Sequence, residues 1–199
     1  LLRGANVALV RPRGWRDART VLHDAIETLG GRAIVIEFDE NALAGEEELA
    51  HTARLFGHLY EAMDCAALAP ATVNAFASGA GIPVFCGLGC RCHPLRGLGE
   101  LWCVEQALKG RGLERRIAFA GDPNGQPAPA FLSAARALGF QVRLNPSSRK
   151  AGGWPIHVDA RQPSDWQLRL GSEVLDPHAR LTHCTHLVEA VLADALAAR

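Results

Sequence analysis

The sequence predicts an α/β fold with two doubly wound parallel-sheet domains. Short apolar runs typical of buried strands alternate with longer segments in which apolar residues recur at helical spacing. The alternation restarts after Gly110-Arg111-Gly112, so we expect one domain over residues 1–110 and a second over residues 111–199. Hydrophobic residues make up 48% of the chain and charged residues 21%, which excludes general disorder. Strands that alternate with helices form parallel sheets with helices on both faces.

The first domain is predicted to contain four strands, each followed by a helix. Its first strand is apolar and rich in β-branched residues, and its first helix ends at Gly30-Gly31, as helices commonly do at glycine. The fourth helix opens with His93-Pro94, and proline is favourable near a helix start. The predicted strands are residues 7–10, 33–38, 65–68 and 83–85, and the predicted helices are residues 16–29, 46–60, 71–78 and 93–109.

The second domain repeats the pattern over a shorter length. A strand at residues 116–120 leads into the turn Gly121-Asp122-Pro123-Asn124-Gly125, and a helix over residues 129–138 ends at Gly139. Another strand is predicted at residues 140–144. Residues 145–165 are rich in Pro, Ser, Gly and Trp, which indicates an irregular connection. A short strand at residues 181–182 then leads into a last helix over residues 186–198.

The charge balance and the cysteines limit the classes of function. The chain has 21 Lys and Arg residues against 21 Asp and Glu residues, so it lacks a net basic field that would attract nucleic acid or a membrane surface. No apolar run approaches the length of a membrane span, and no signal peptide is visible. We therefore expect a cytoplasmic protein with no nucleic-acid or membrane partner, whose six cysteines are reduced thiols.

The end of the first strand carries a candidate anion site, because sites in parallel sheets form at the carboxyl ends of strands. The segment from Arg11 to Thr20 places four arginines around the predicted start of a helix. Backbone N–H groups and guanidinium groups in that arrangement are suited to holding a phosphate. A solvated, charged helix start is the alternative interpretation of the same segment.

The end of the fourth strand carries thiols and an imidazole. Cys86, Cys90, Cys92 and His93 fall within eight residues, and such a set can ligate zinc. No second ligand cluster accompanies them, so we expect packed thiols and no metal. The helix dipole disfavours the charged form of His93, and a neutral ring there can donate a hydrogen bond to a substrate oxygen. The alternative is a histidine that only caps the helix or packs in the core.

Two further segments are weaker candidates. The turn that contains Asn124 has no G-x-G-x-x-G fingerprint and can be a tight turn alone. His183-Cys184 permits Cys–His chemistry, but the sequence identifies no third partner for it.

Several short motifs share their order and spacing with one known family. They are Leu2-Arg3-Gly4, Leu29-Gly30-Gly31, Gly45-Glu46, Thr52-Ala53-Arg54, Pro83-Val84, Gly87-Leu88, His93-Pro94, Gly121-Asp122 with Asn124, and His183-Cys184. In this order they resemble the aspartate/ornithine carbamoyltransferase family over most of the chain. The resemblance implies a carbamoyltransferase-like fold whose second domain is shortened, because much of the middle of that domain is absent.

The resemblance also implies an activity and a set of residues. The expected reaction transfers a carbamoyl group from carbamoyl phosphate to an amino-acid amine, without a cofactor. His93 would polarise the carbonyl group. Arg96, which is also a candidate for holding the phosphate, and Cys184, which would lie toward the amino-acid substrate, are the other expected catalytic residues. The expected substrate-binding residues are Arg16, Arg19, Asn124 and His183. Family members are usually trimers, so a homo-oligomer, and a trimer above all, is expected here.

The chain departs from the family at the phosphate loop. The family's Ser-Thr-Arg-Thr-Arg corresponds to Trp15-Arg16-Asp17-Ala18-Arg19, so both threonines are lost and Asp17 opposes anion binding. The family's arginine after the third strand falls on Ala69 or Pro70, and the glutamine of its His-Pro-x-Gln motif is Arg96. Two hypotheses follow. The first is a divergent carbamoyltransferase that takes carbamoyl phosphate or a replacement anion. The second is a catalytically degenerate paralogue that serves as a binding, regulatory or assembly subunit.

Overall fold

The computed structural model describes residues 2–15, 20–42, 45–146 and 153–197. The chain divides into two compact units, Leu1–Cys90 with Val188–Arg199, and Arg91–Leu187. The expected phosphate-loop residues Arg16, Asp17, Ala18 and Arg19 lie outside the described residues, as do part of the predicted 145–165 connection and the end of the last predicted helix. The boundary predicted near residue 110 stays a prediction.

The first unit is built on a four-stranded, wholly parallel sheet in the order β2-β1-β3-β4. In its register, Val7 on the central strand pairs with Ala33 on one side and Ala62 on the other. The strands are β1 (Asn6–Pro12), β2 (Arg32–Phe38), β3 (Ala62–Cys65) and β4 (Val84–Phe85). The helices are α1 (Val21–Thr28), α2 (Glu46–Leu59) and α3 (Pro70–Gly79), with a 3₁₀ turn at Glu40–Ala42.

The core of the first unit is held by aromatic side chains and by a close helix contact. The ring of Phe76 lies 5.4 Å from that of Phe38 and 5.7 Å from that of Phe56, measured between ring centroids. A Cβ atom on Gly57 of α2 would lie 1.8 Å from the carbonyl oxygen of Ala80, just beyond α3. Glycine is therefore required where α2 crosses the end of α3.

The second unit contains a five-stranded mixed sheet in the order β6-β5-β7-β8-β9. Strand β5 pairs in parallel with both β6 and β7, whereas β8 pairs antiparallel with β7 and β9 pairs antiparallel with β8. The strands are β5 (Arg116–Gly121), β6 (Gln141–Leu144), β7 (Ile156–Ala160), β8 (Gln167–Leu170) and β9 (Glu173–Val174). The helices are α4 (Pro94–Leu108), α5 (Ala128–Ala137) and α6 (Pro177–Ala197), the last of which continues into residues of the first unit.

The core of the second unit lies on one face of its sheet. Phe119, Phe131 and Trp166 contact one another with ring centroids 5.6–6.1 Å apart. They belong to an apolar cluster that includes residues of α4 and α5 and the inward side chains of β5, β7 and β8. The predicted α/β class with parallel-sheet cores is confirmed, and the antiparallel strands β8 and β9 are an addition that the sequence pattern did not predict.

Three predicted elements differ from the structure. The third strand ends at Cys65 rather than beginning there, because Ala67 has φ of 58°, which no strand can accommodate. The connection predicted at residues 145–165 contains strand β7, whose alternating burial fits a half-buried strand. The short strand predicted at residues 181–182 lies inside α6, which begins earlier because the Asp176 carboxylate accepts hydrogen bonds from the N–H groups of His178 and Ala179.

No helix in the described ranges is long and apolar enough to cross a membrane.

Candidate functional site

A buried ion pair organises the carboxyl ends of the strands in the first unit. Arg11, at the end of β1, is 4% exposed, and Asp64 of β3 is fully buried. Nη2 of Arg11 donates to Oδ2 of Asp64 at 2.7 Å, and the backbone N–H of Leu88 donates to Oδ1 at 2.7 Å. The Asp64 carboxylate therefore ties the end of β1 to the loop that follows β4.

Of the four arginines around the predicted helix start, the structure describes two. Nη1 of Arg11 donates to the carbonyl oxygens of Val10 and Asp64, at 2.9 and 2.8 Å, so its guanidinium is engaged in holding the fold. Arg13 is exposed and lies 3.9 Å from a carboxylate oxygen of Asp39. The predicted substrate-binding residues Arg16 and Arg19 lie outside the described residues.

The loop after β4 packs on the start of α1. A Cβ atom on Gly89 would lie 2.6 Å from Cβ of Leu22 and 2.8 Å from Oγ1 of Thr20. Thr20 is the N-cap of α1, and its backbone N–H donates to Nδ1 of His23 at 3.2 Å. The strand ends and a capped helix start thus meet in one region of the first unit, which is the arrangement that binds anions in parallel sheets.

The carboxylate of Glu40 binds the backbone of Ala69, one of the two positions on which the resemblance places the family's arginine. Oε1 of Glu40 accepts hydrogen bonds from the backbone N–H of Ala69, at 2.9 Å, and from Oγ1 of Thr72, at 2.5 Å. A carboxylate beside this strand end lowers the local affinity for an anion.

The thiols are not assembled into a metal site in the described part of the chain, where no group of three or more His, Cys, Asp or Glu residues has suitable geometry. None of the six cysteines, all of which lie in the described ranges, forms a disulfide, and Cys86 and Cys92 are exposed. Cys65 is buried, and burial raises the pKa of its thiol to about 12, with a further contribution from the neighbouring Asp64 carboxylate.

His93 is the N-cap of α4 in the second unit. Its Nδ1 accepts a hydrogen bond from the backbone N–H of Leu95 at 3.2 Å. Because Nδ1 is the acceptor, the neutral ring carries its proton on Nε2. The structure therefore supports the predicted capping role and, in addition, the tautomer whose Nε2–H can donate to an oxygen atom.

One turn into α4, Arg96 takes part in a buried charge cluster. Nε of Arg96 donates to Oε1 of Glu100 at 2.6 Å, while Nε and Nη2 of Arg180 donate to Oε2 and Oε1 at 2.5 and 2.8 Å. Burial lowers the pKa of Arg180, but its hydrogen bonds and charge interaction with Glu100 outweigh this and raise the pKa overall. Two guanidinium groups share one carboxylate, so the cluster carries a net charge of about one positive unit.

Cys184 lies behind α4. A Cβ atom on Gly99 would lie 2.4 Å from its Sγ, and that Sγ is 3.9 Å from the carbonyl oxygen of Arg96. Burial raises the pKa of Cys184 to about 11, so the thiol is protonated at neutral pH. A protonated, buried thiol is a poor nucleophile. Cys184 therefore packs against the backbone of Arg96.

His183 is held by contacts within the second unit, whereas Asn124 lies on an exposed turn. Nδ1–H of His183 donates to the carbonyl oxygen of Ala179 at 2.6 Å, and its ring meets the edge of Trp102 with centroids 4.8 Å apart. Asn124 is exposed on the turn after β5, where its backbone N–H donates to Oδ1 of Asp122 at 2.9 Å. Of the predicted site residues, the structure thus joins Arg96 and Cys184 by direct contact.

Sequence reasoning missed Asp64, Glu100 and Arg180, the three charged residues that hold these regions together. Each of them is less than 5% exposed. The sequence feature that could have identified Asp64 and Glu100 is a charged residue inside an apolar pattern. In the structure, Asp64 lies within a four-residue buried strand, and Glu100 lies on the inward face of α4. Buried charges are almost always paired, so each of these predicts a partner without identifying it.

Comparison with curated proteins connects the chain to carbamoyltransferases. Over 145 residues, or 71% of the chain, it is 27% identical to an ornithine carbamoyltransferase from Caldanaerobacter subterraneus subsp. tengcongensis. The match covers 45% of that enzyme, so the chain spans less than half the length of this relative. The searched family models gave no match.

Solved structures show the same fold. Ornithine carbamoyltransferase from Burkholderia thailandensis E264 aligns with 98% of the chain and 86% of its own, with a TM-score of 0.64 and 17% identity. The catalytic subunit of M. jannaschii aspartate transcarbamoylase aligns with 100% of the chain and 89% of its own, with a TM-score of 0.62 and 13% identity. The sequence match and the shared fold confirm the resemblance to ornithine and aspartate carbamoyltransferases.

Proposed function

We propose that this relative of the ornithine and aspartate carbamoyltransferases is a divergent carbamoyl-transfer protein, which moves a carbamoyl group from carbamoyl phosphate to an amino-acid amine. The observation that carries the proposal is the hydrogen bond from the N–H of Leu95 to Nδ1 of His93. It leaves the proton of the neutral ring on Nε2, the form that donates to a carbonyl oxygen.

In the proposed reaction the amine nitrogen attacks the carbamoyl carbon and forms a C–N bond. Negative charge grows on the carbonyl oxygen, and Nε2–H of His93 would stabilise it. The C–O bond to phosphate then breaks, phosphate departs with the bonding electrons, and the attacking nitrogen loses a proton. Proximity supplies much of the rate, because two substrates are held together.

The remaining residues take the roles that the family resemblance implies. Arg16 and Arg19 would hold the phosphate group, while Asn124 and His183 would bind the amino acid. Arg96 adds positive charge in the first turn of α4, three residues after the polarising histidine. Cys184 is the exception: instead of the catalytic role that the resemblance implies, it would act as a positioning residue, because its buried thiol contacts the backbone of Arg96. A homotrimer and a cytoplasmic location belong to the same proposal.

A second candidate function is a degenerate subunit that binds or assembles without turnover. Two observations favour it. Glu40 places a carboxylate at the backbone of Ala69, and the resemblance puts the family's arginine at Ala69 or Pro70. Glu100 also occupies Nε of Arg96, which reduces the hydrogen bonds that this guanidinium can offer a ligand.

Calorimetric titration with carbamoyl phosphate, with inorganic phosphate as the reference ligand, tests the proposal. We expect saturable binding that is tighter than the binding of phosphate. Turnover is then measured with ornithine and aspartate as amine substrates. His93→Ala should abolish turnover, and the matched variant His51→Ala, at an exposed position on α2, should not.

The outcomes separate the two candidates. Binding of carbamoyl phosphate together with turnover that depends on His93 supports carbamoyl transfer. Binding without turnover of either amine supports the degenerate subunit. No binding at millimolar ligand by a well-folded protein contradicts carbamoyl transfer.

A further inference from the structure

The face of the second sheet opposite the apolar core contains a polar cavity of about 420 Å³. Along β7 and β8, core residues alternate with polar residues that line this cavity, as expected for strands with one buried face. The strand residues that line it include Ala118, Ala120, His157, Asp159, Gln167 and Arg169. A volume of this size lies within the range of small-molecule sites.

The strand register places these side chains in two rows across the sheet. His157 pairs with Ala118 on one side and with Arg169 on the other, and Asp159 pairs with Ala120 and Gln167 in the same way. Directly paired residues have Cβ atoms about 5 Å apart. The two alanines are too small to fill the space above β5, so they form a floor bordered by longer polar side chains.

The charges in the cavity favour an anion. Both carboxylate oxygens of Asp159 accept hydrogen bonds from Arg161, with the Nε contact at 2.9 Å. These bonds lower the pKa of Asp159, and the positive charge of Arg169 contributes further. Asp159 and Arg161 neutralise each other. The remaining charge of Arg169 therefore gives the cavity a net charge of about one positive unit.

The donors next to this charge are available to a ligand. Among the residues that the structure describes, none forms a hydrogen bond with the side chain of Arg169, His157 or Gln167, although all three line the cavity. A guanidinium group binds phosphate oxygens through two parallel hydrogen bonds, and an imidazole and an amide supply further donors. The Asp159 oxygens retain lone pairs that can accept from a ligand hydroxyl group.

We propose that this cavity binds a phosphate monoester that carries hydroxyl groups, with its phosphate on Arg169 and His157 and a hydroxyl near Asp159. The site shares no residue with the proposed carbamoyl-transfer machinery. The ligand therefore differs from carbamoyl phosphate, which carries no hydroxyl-bearing carbon chain, and the two sites can be tested separately.

Titration of ¹⁵N-labelled protein with ribose 5-phosphate, followed by amide chemical shifts, tests the proposal. We expect saturable shifts at amides of β5, β7 and β8. Arg169→Gln should weaken the binding at least tenfold, because a charged hydrogen-bonding partner is lost. The matched variant Arg136→Gln, at an exposed arginine in the last turn of α5, should bind like the unmodified protein. Arg169 is exposed, so its substitution should leave the amide spectrum otherwise dispersed.

Two further probes and one further variant make the result specific. Ribose without phosphate should not bind, and inorganic phosphate should bind more weakly than ribose 5-phosphate. His93→Ala should retain these shifts, which separates this site from the proposed carbamoyl-transfer site. The proposal is overturned if no shifts appear at β7 and β8 with millimolar ribose 5-phosphate, or if Arg169→Gln leaves the affinity unchanged.

Discussion

The carboxylate of Glu100 on α4 is held by the guanidinium of Arg180 on α6 through two hydrogen bonds of 2.5 and 2.8 Å, with both side chains buried. Burying two charges is costly, and their mutual attraction offsets the cost only when the geometry is good. This pairing joins the two helices through residues that are 80 positions apart in sequence. It also orients the carboxylate that receives Nε of Arg96.

Replacing Arg180 should therefore destabilise the fold strongly. Arg180→Met leaves the buried Glu100 carboxylate with Arg96 alone, and breaking a buried pair costs about 3–5 kcal/mol in free energy of unfolding. Urea denaturation measures this loss as a lower midpoint. Arg111→Met is the matched control, because Arg111 pairs with Glu173 in the same two-bond manner but at an exposed site. Equal midpoints for the two variants would contradict this prediction.

Asp64→Asn should destabilise the first unit and loosen the loop after β4. The change leaves Arg11 buried without its countercharge, at a cost of about 3–5 kcal/mol, and weakens the acceptor of the Leu88 N–H. Hydrogen exchange at the Leu88 amide should become faster. Asp194→Asn, at an exposed position on α6, serves as the control, and unchanged exchange in Asp64→Asn would show that this carboxylate does not organise the loop.

Five of the six thiols should divide into a reactive group and a protected group. Cys86 and Cys92 are exposed and should react with a disulfide reagent at pH 8 in the folded protein. Cys65, Cys103 and Cys184 are buried and should react only after denaturation. Mass spectrometry of the labelled peptides identifies the sites. Rapid labelling of Cys184 in folded protein would contradict its placement behind α4.

Stability should fall at alkaline pH because of the buried thiols. Burial raises the pKa of Cys184 from 9.0 to about 11, so folding favours the protonated form. This contribution is fully present below pH 9 and is lost as the pH rises to about 11, which amounts to about 2–3 kcal/mol. Urea midpoints at pH 8 and pH 10.5 measure the loss. Cys184→Ala should reduce the pH dependence, and an unchanged slope would count against this cause.

Gly99→Ala should disturb the contact between α4 and α6. The new Cβ would lie 2.4 Å from Sγ and 3.1 Å from Cα of Cys184, and overpacking of this kind costs about 1–3 kcal/mol. Cys184→Ala in the same chain removes the sulfur but not the backbone contact, so we expect partial recovery of the thermal midpoint. An unchanged thermal midpoint for Gly99→Ala alone would contradict this prediction, because it would mean that α4 and α6 can move apart with little loss of stability.

Local chemistry was sufficient to predict most elements of the two sheets. The apolar run of β1, the glycines after α1 and the proline at the start of α4 are signals that each depend on a few neighbouring residues. Order and spacing of short motifs were also sufficient for the resemblance to carbamoyltransferases, which the sequence match and the fold confirm. The candidate residue His93 was predicted from its place at a helix start, and the structure adds its hydrogen bond to Leu95.

The pairing of distant charges depends on tertiary structure alone. Sequence order shows that Asp64 and Glu100 interrupt apolar patterns, but their partners Arg11 and Arg180 lie 53 and 80 residues away, and many arginines were equally available. The cavity on the second sheet could not be predicted from the sequence for the same reason, because the strand register places His157 beside Arg169. The spacing of apolar residues along the sequence predicts which face of a strand or helix a residue occupies. Which residue becomes its neighbour on that face is determined only when the strands and helices pack together.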